Sequence, residues 1–279
     1  LSLHDALPIL ERSPARETSR DFTMIDCLPC HVPEPVLKDG QGRAPLARSL
    51  LRKEGVSCLG CHRVAAGVAG PGTAPAFAPC RPVKDGRLTS VNLCRTCHND
   101  HGTVDDWEKT PLKAEGRDCI SCHMPMVRSK DGRRHRSHAW PGGHSKEMLA
   151  KAVGLTAAVD PHTRTLLVTV RNLAAGHNIP TELRHRSLDL EVTLYKGPFA
   201  ADRHLYRFRN PYKEEGLPND QLRFGETRAF RFPVPEGVKK AHVRLVYRFM
   251  HRMKGGEEHV ILSESRDIPT PSTGRSSSP

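Results

Sequence analysis

Four times in 279 residues the chain spells Cys-x-x-Cys-His: Cys27-Leu-Pro-Cys30-His31, Cys58-Leu-Gly-Cys61-His62, Cys94-Arg-Thr-Cys97-His98 and Cys119-Ile-Ser-Cys122-His123. Two cysteines three apart sit on one tight turn, so their sulfurs reach the two vinyl groups on a porphyrin edge. The next residue then points its imidazole under the ring, toward iron. Zinc ribbons also use Cys-x-x-Cys pairs, and eight cysteines could form two Cys₄ sites. Zinc does not require a histidine directly after every second cysteine. A thioredoxin-like redox motif explains one such pair, not four. The pattern therefore implies four covalently attached haems c. Cys27, Cys30, Cys58, Cys61, Cys94, Cys97, Cys119 and Cys122 would form the thioethers, and His31, His62, His98 and His123 would be the proximal ligands.

Composition agrees with a large buried cofactor. Only 37% of residues are hydrophobic and 5% aromatic, which is thin for a core. Porphyrins, packed on both faces, would supply the missing apolar surface. Eight of nine cysteines belong to the motifs and Cys80 stands alone, so this is no disulfide framework. The formal charge of +12 is either a solvated basic surface or a docking surface for acidic partners, and haem propionates would offset part of it. No long single-sign block and no interleaving of basic with aromatic residues points to nucleic acid.

The chain divides by composition. Residues 10–150 carry all the cysteines, with many Gly, Pro and short helical fragments, including helices near 104–110 and 145–152. The attachment cysteines begin 31, 36 and 25 residues apart, too irregular for a solenoid. Residues 151–268 carry no cysteine and alternate with period two. Leu188, Leu190, Val192 and Leu194 alternate with Asp189, Glu191, Thr193 and Tyr195, which puts one face in a core and one in water. Val243, Leu245, Tyr247 and Phe249 repeat the pattern, as do Phe230, Phe232 and Val234. Further strands are predicted at 155–159, 165–172, 204–209 and 259–263. About seven short strands with turn signals between them predict an antiparallel β-sandwich of immunoglobulin-like type, with a β-barrel as the alternative. The fold class is α+β: a haem-packed N-terminal domain of short helices and loops, then the sandwich. The tail, 269–279, is Ser, Thr, Pro and Gly and reads as disordered.

Leu1 to Ile9 reads LSLHDALPI, which resembles the translation of a sequencing-adapter oligonucleotide. Residues 1–9 are excluded from fold reasoning, with His4, and the true N-terminus with its signal peptide is expected to be lost. Haem is attached outside the cytoplasm, so the motifs imply a periplasmic or extracellular protein. No apolar run approaches the roughly 18 residues of a membrane helix.

Each iron needs a sixth ligand or an open site. His101, His135, His138, His144 and His162 lie in or near the cysteine half. His138-Ala-Trp-Pro-Gly-Gly-His144 sets two histidines about a turn that could aim them at different irons. His101 is too close to His98 to cross its own ring and would serve a neighbouring haem. His177 is either a loop histidine or a ligand presented by the β half. His185, His204, His242, His251 and His259 read as surface residues. Met24, Met124 and Met126 could offer thioethers, though Met124 follows its own proximal histidine and more simply packs on a ring. Trp107 and Trp140 pack on haems or form plain core.

Residues 119–125 with 138–144, and Val104-Asp-Asp-Trp107-Glu-Lys-Thr-Pro111 before the last motif, resemble the multihaem cytochromes of the c-552/c-554 type. Val170-Arg-Asn-Leu and Gly176-His-Asn-Ile-Pro-Thr181 are similar to the sandwich domain appended to some of them. The resemblance implies electron transfer among closely stacked, mostly bis-histidine haems. It makes His138 and His144 distal ligands and admits His177 as another. No histidine stands in the Gly67-Val-Ala-Gly-Pro71 loop, so the second haem lacks an evident distal ligand. The expected function is outer-sphere electron transfer with other redox proteins or cytochromes. The alternative is a multihaem reductase with one open haem acting on a small nitrogen or sulfur compound. A third reading is a subunit of a larger conducting cytochrome assembly.

Overall fold

The computed structural model describes residues 24–38, 45–73, 81–99, 102–181, 184–253 and 255–269. The chain forms two compact units that meet in sequence between Trp140 and Pro141. Leu1 to Ile9, Cys80, His101 and residues 270–279 of the tail lie outside the described residues, as do the side chains of Met24 and Cys27.

The described residues of the first unit form very short elements. The helices among them are α1 (Met24–His31), α2 (Cys58–His62), α3 (Val91–His98), α4 (Thr103–Glu108) and α5 (Cys119–His123). Its strands are β1 (Arg63–Val64), β2 (Gly67–Gly70), β3 (Val83–Lys84), β4 (Met126–Arg128) and β5 (Arg134–Arg136). β1 and β2 form a hairpin directly after the second motif, and β4 and β5 another shortly after the fourth. Helices of five to eight residues are marginal alone, so capping and packing must stabilise them. Ser90 accepts from the Asn92 amide at the start of α3, and Asp118 accepts from the Ser121 amide at 2.8 Å at the start of α5.

The second unit opens with helix α6 (Lys146–Ala152) and continues through β6 (Val153–Asp160), β7 (Thr165–Asn172), β8 (Ser187–Lys196), β9 (Phe199–Phe208), β10 (Thr227–Pro233), β11 (Lys240–Arg248) and β12 (Glu258–Asp267). Two antiparallel sheets result, ordered β10-β7-β6 and β12-β11-β8-β9. Residues of both sheets share one apolar core, including Leu166, Val168 and Val170 of β7, Leu188, Leu190, Val192 and Leu194 of β8, and Val243 and Leu245 of β11. α6 joins this unit because Leu149 enters the same core.

All seven predicted strands are present, several of them longer than read. β9 starts at Phe199 rather than near 204: Phe199 to Arg203 carry no apolar alternation, and Phe199 is three-quarters exposed. Asp189 departs from its expected place on a watered face. It is fully buried, and Arg207 and Arg248 both donate to its carboxylate, at 2.7 and 2.9 Å.

Candidate haem-attachment site

Each Cys-x-x-Cys-His motif occupies a short helix that ends on its histidine, in addition to the helices expected near 104–110 and 145–152, which are present as α4 and α6. α2 and α5 are the motif and nothing more, while α1 and α3 carry it in their last five residues. Positions three apart share a helix face, so the second, third and fourth motifs each set their two thiols side by side. Cys58, Cys61, Cys94, Cys97, Cys119 and Cys122 carry no disulfide.

The motif helices are tied to one another by contacts that the motifs themselves do not spell. The Val36 amide, five residues past the first motif, donates to the Gly60 carbonyl inside the second at 2.9 Å. Gly60 is buried, and a Cβ there would stand 3.4 Å from Pro33. Arg95, inside the third motif, binds Asp105 at 2.6 Å and Glu108 at 2.7 Å on α4. Asn99, the residue after His98, accepts from the Val104 and Asp105 amides and so caps that helix. Trp107 of α4 donates from its indole to the Arg117 carbonyl at 2.9 Å, just before the fourth motif. Trp107 is thus a buried strut between the third and fourth motifs.

The thiols of different motifs consequently meet. Cys94 donates to Cys119, and Cys97 to Cys30. Those bonds, and then burial, hold Cys94 and Cys97 well above the ordinary thiol range. The same bond from Cys94 draws Cys119 down to about 7, with burial opposing and nearby His98 helping. Burial, then neighbouring Cys58, pushes the Cys61 thiol up. Among the described residues no three His, Cys, Asp or Glu side chains are grouped to hold a metal ion directly.

This arrangement fits covalently held porphyrins. Paired thiols on one turn, followed by an imidazole, suit two thioethers and one axial bond. Apolar side chains at or beside the motif turns are exposed: Leu59 within the second motif, Val68 on β2, and Met126 and Val127 on β4. A flat apolar ring lying on those turns would cover them.

The histidines fall into two sets. In the first unit, His62 donates from Nδ1 to the Ala69 carbonyl at 2.9 Å. The segment Gly67–Gly70, which holds no histidine, is strand β2, and its backbone orients the His62 ring. His138 donates from Nδ1 to the Arg136 carbonyl at 3.1 Å, meets the edge of Trp140, and lies beside His62. His135 stands exposed on β5. In the second unit, His144 stacks on Phe249 with centroids 4.4 Å apart. His177 donates from Nδ1 to the Asn178 carbonyl at 2.9 Å. Its loop is pinned by fully buried Asn172, which donates to the His177 and Leu222 carbonyls and accepts from the Ala175 amide. His251 donates from Nδ1 to the His185 carbonyl, and His259 packs edge-on against Phe249. The sequence carries no signal for the carbonyl partners of the His62, His138, His177 and His251 rings, because any residue supplies a carbonyl.

No protein-family model matches the chain, and no curated protein matches it. Among solved structures it is similar to a penta-heme cytochrome c552 from Thermochromatium tepidum, with a TM-score of 0.68 and 18% sequence identity over 94% of this chain and 91% of that one. The two chains share a fold.

Proposed function

We propose that this protein is an electron carrier that holds four haems c at Cys27/Cys30, Cys58/Cys61, Cys94/Cys97 and Cys119/Cys122, with His31, His62, His98 and His123 as proximal ligands. The observation that carries the proposal is the set of four Cys-x-x-Cys-His motifs, each on a helix ending at its histidine. When bound, haem supplies a one-electron iron couple. The chain's own part is to hold the attachment turns close together and rigid through Arg95, Asn99 and Trp107, so that electron exchange needs little rearrangement. His138, His144, His101 and His177 are the candidate distal ligands. The fold shared with a protein named as a penta-heme cytochrome supports the reading; four is the number of motifs in this sequence.

Redox proteins or other cytochromes are the proposed partners, in the periplasm or outside the cell. The basic charge favours an acidic docking face, and Arg128, Lys130, Arg133, Arg134 and Arg136 cluster on and around the β4–β5 hairpin with Asp131 among them. No helix of the described residues is long and apolar enough to cross a membrane. The β unit is assigned to the immunoglobulin-like sandwiches. Its first, second and fifth strands form one sheet and its third, fourth, sixth and seventh the other, the crossing pattern that such sandwiches use.

The test is export of the full chain in a host with haem-attachment machinery, followed by haem counting and a reduced spectrum with and without carbon monoxide. Four haems per chain and no response to carbon monoxide are expected. A response from about one haem in four would instead favour a reductase with an open iron. Absence of covalent haem would overturn the reading.

A further inference from the structure

We propose that His138 is the second axial ligand of the haem attached at Cys58 and Cys61, opposite His62. The proposal rests on the haem reading above and names the iron that His138 would serve, which neither the motifs nor the resemblance assigns.

The spacing of the two rings carries it. The centroids of His62 and His138 are 6.1 Å apart and their planes are inclined by 44°. Two imidazoles on opposite sides of one metal ion, with bonds of about 2 Å and about 1 Å from nitrogen to ring centre, place their centres about 6 Å apart. The inclination is neither that of a stacked pair nor that of an edge-to-face pair. His144 on Phe249, at 4.4 Å and 22°, shows what direct stacking looks like in this same protein.

The protonation pattern agrees. Both rings direct Nδ1 at a backbone carbonyl, His62 at Ala69 and His138 at Arg136. A carbonyl oxygen only accepts, so each Nδ1 carries the proton and each lone pair sits on Nε2. Histidine ligands of metals are held in this way, with the second nitrogen donating to a carbonyl or carboxylate. Both carbonyls belong to hairpins that follow a motif: Ala69 lies on β2 and is buried, and Arg136 ends β5. The edge of Trp140 against His138, with centroids 5.8 Å apart, limits the swing of that ring. The hairpin after the fourth motif would thus deliver the ligand for the second, which explains why no histidine is needed in the loop 67–71.

The test uses the haem-loaded full chain carrying His138→Ala or His138→Met. Covalent haem is counted by mass, spin state is read by electron paramagnetic resonance, and potentials are titrated. With alanine, four haems should remain and one in four should turn high-spin and bind carbon monoxide. With methionine, all irons should stay six-coordinate and the potential of one haem should rise. The haem is located by repeating His138→Ala in a Cys58→Ser, Cys61→Ser background that lacks the second haem, where it should add no carbon monoxide-binding site. Low-spin iron throughout His138→Ala, or a new open iron in the three-haem background, would overturn the assignment. Absence of covalent haem from the unsubstituted protein would instead overturn the haem reading itself.

Discussion

The two units solve the problem of stability in different ways. The β unit buries twenty-four apolar residues among those described, nearly all in one cluster beneath two sheets of seven-to-ten-residue strands. The cysteine unit, of similar length, buries nine among those described, and its described helices reach at most eight residues. Leu50, Leu51, Leu59, Met126 and Trp140 are exposed in it. Burial of apolar area is the main stabilising term of folding, at roughly 25 cal/mol per Å². By that measure the β unit is a self-sufficient fold. The cysteine unit is a set of attachment turns braced by caps and ion pairs, and on the haem reading the covalent groups complete its core.

The largest effect that could break this contrast is loss of haem. A chain produced where haem is not attached should lose the order of its first unit while the second stays folded. Limited proteolysis should then leave a protected fragment beginning near residue 141, with β-type circular dichroism. Equal protection of both units would end the distinction.

Next come substitutions inside the β unit, which should act there and leave haem content unchanged. Leu245 is fully buried in β11, and Leu245→Ala should cost about 3 kcal/mol through lost burial and the cavity left behind. Asp189→Asn should cost about 3 kcal/mol, because Arg207 and Arg248 lose the buried charge they share. Both are measured by denaturant unfolding with tyrosine and far-ultraviolet signals. A change in haem count with either would show that the units are not independent.

The same contrast explains what the sequence made legible. Period-two alternation marks a half-buried strand because one face must enter the core, and Leu188, Leu190, Val192 and Leu194 are indeed all buried. The rule failed at Asp189, where long arginine side chains from β9 and β11 cover the outer face and buried the carboxylate between them. In the cysteine unit five-residue helices have no periodicity to read, so α2 and α5 were visible only as motifs. The neighbours of the motifs were invisible for a different reason. Ala69 and Arg136 act through their carbonyls, and Asn99 and Arg95 act through partners that only the folded chain identifies. The motif cysteines and histidines are legible because Cys-x-x-Cys-His is a pattern of residue type and spacing; the groups that hold the motifs in place are not, because backbone groups carry no sequence signature.

Acid should also act on the β unit through Glu215. Its carboxylate accepts from Arg209 and from the Tyr212 amide and pairs with Arg252. The Arg209 hydrogen bonds, against some burial, draw it from 4.5 down to about 2. A depressed folded value means that the contribution is complete above the unfolded value of 4.5 and is lost as pH falls toward about 2. After screening by solvent it is worth about 1–2 kcal/mol. Glu215→Gln should therefore lower the stability of the β unit by about that amount at neutral pH and flatten its fall across that window. An unchanged acid limb would assign the fall to other carboxylates.

The smallest effect tests where the boundary between the units lies. Ser145 accepts from the Met148 amide at 3.2 Å and so caps α6. Through Leu149 that helix belongs to the β core, although it follows closely on the segment 138–144 that carries two candidate ligands. Ser145→Ala removes the cap and should cost about 1 kcal/mol. In a unit of this size that lowers the melting temperature by about 4 °C. The shift should appear in the far-ultraviolet transition of the β unit and be absent from the visible haem bands. A shift in the haem bands alone would move α6 across the boundary and make the cysteine unit the owner of the helix.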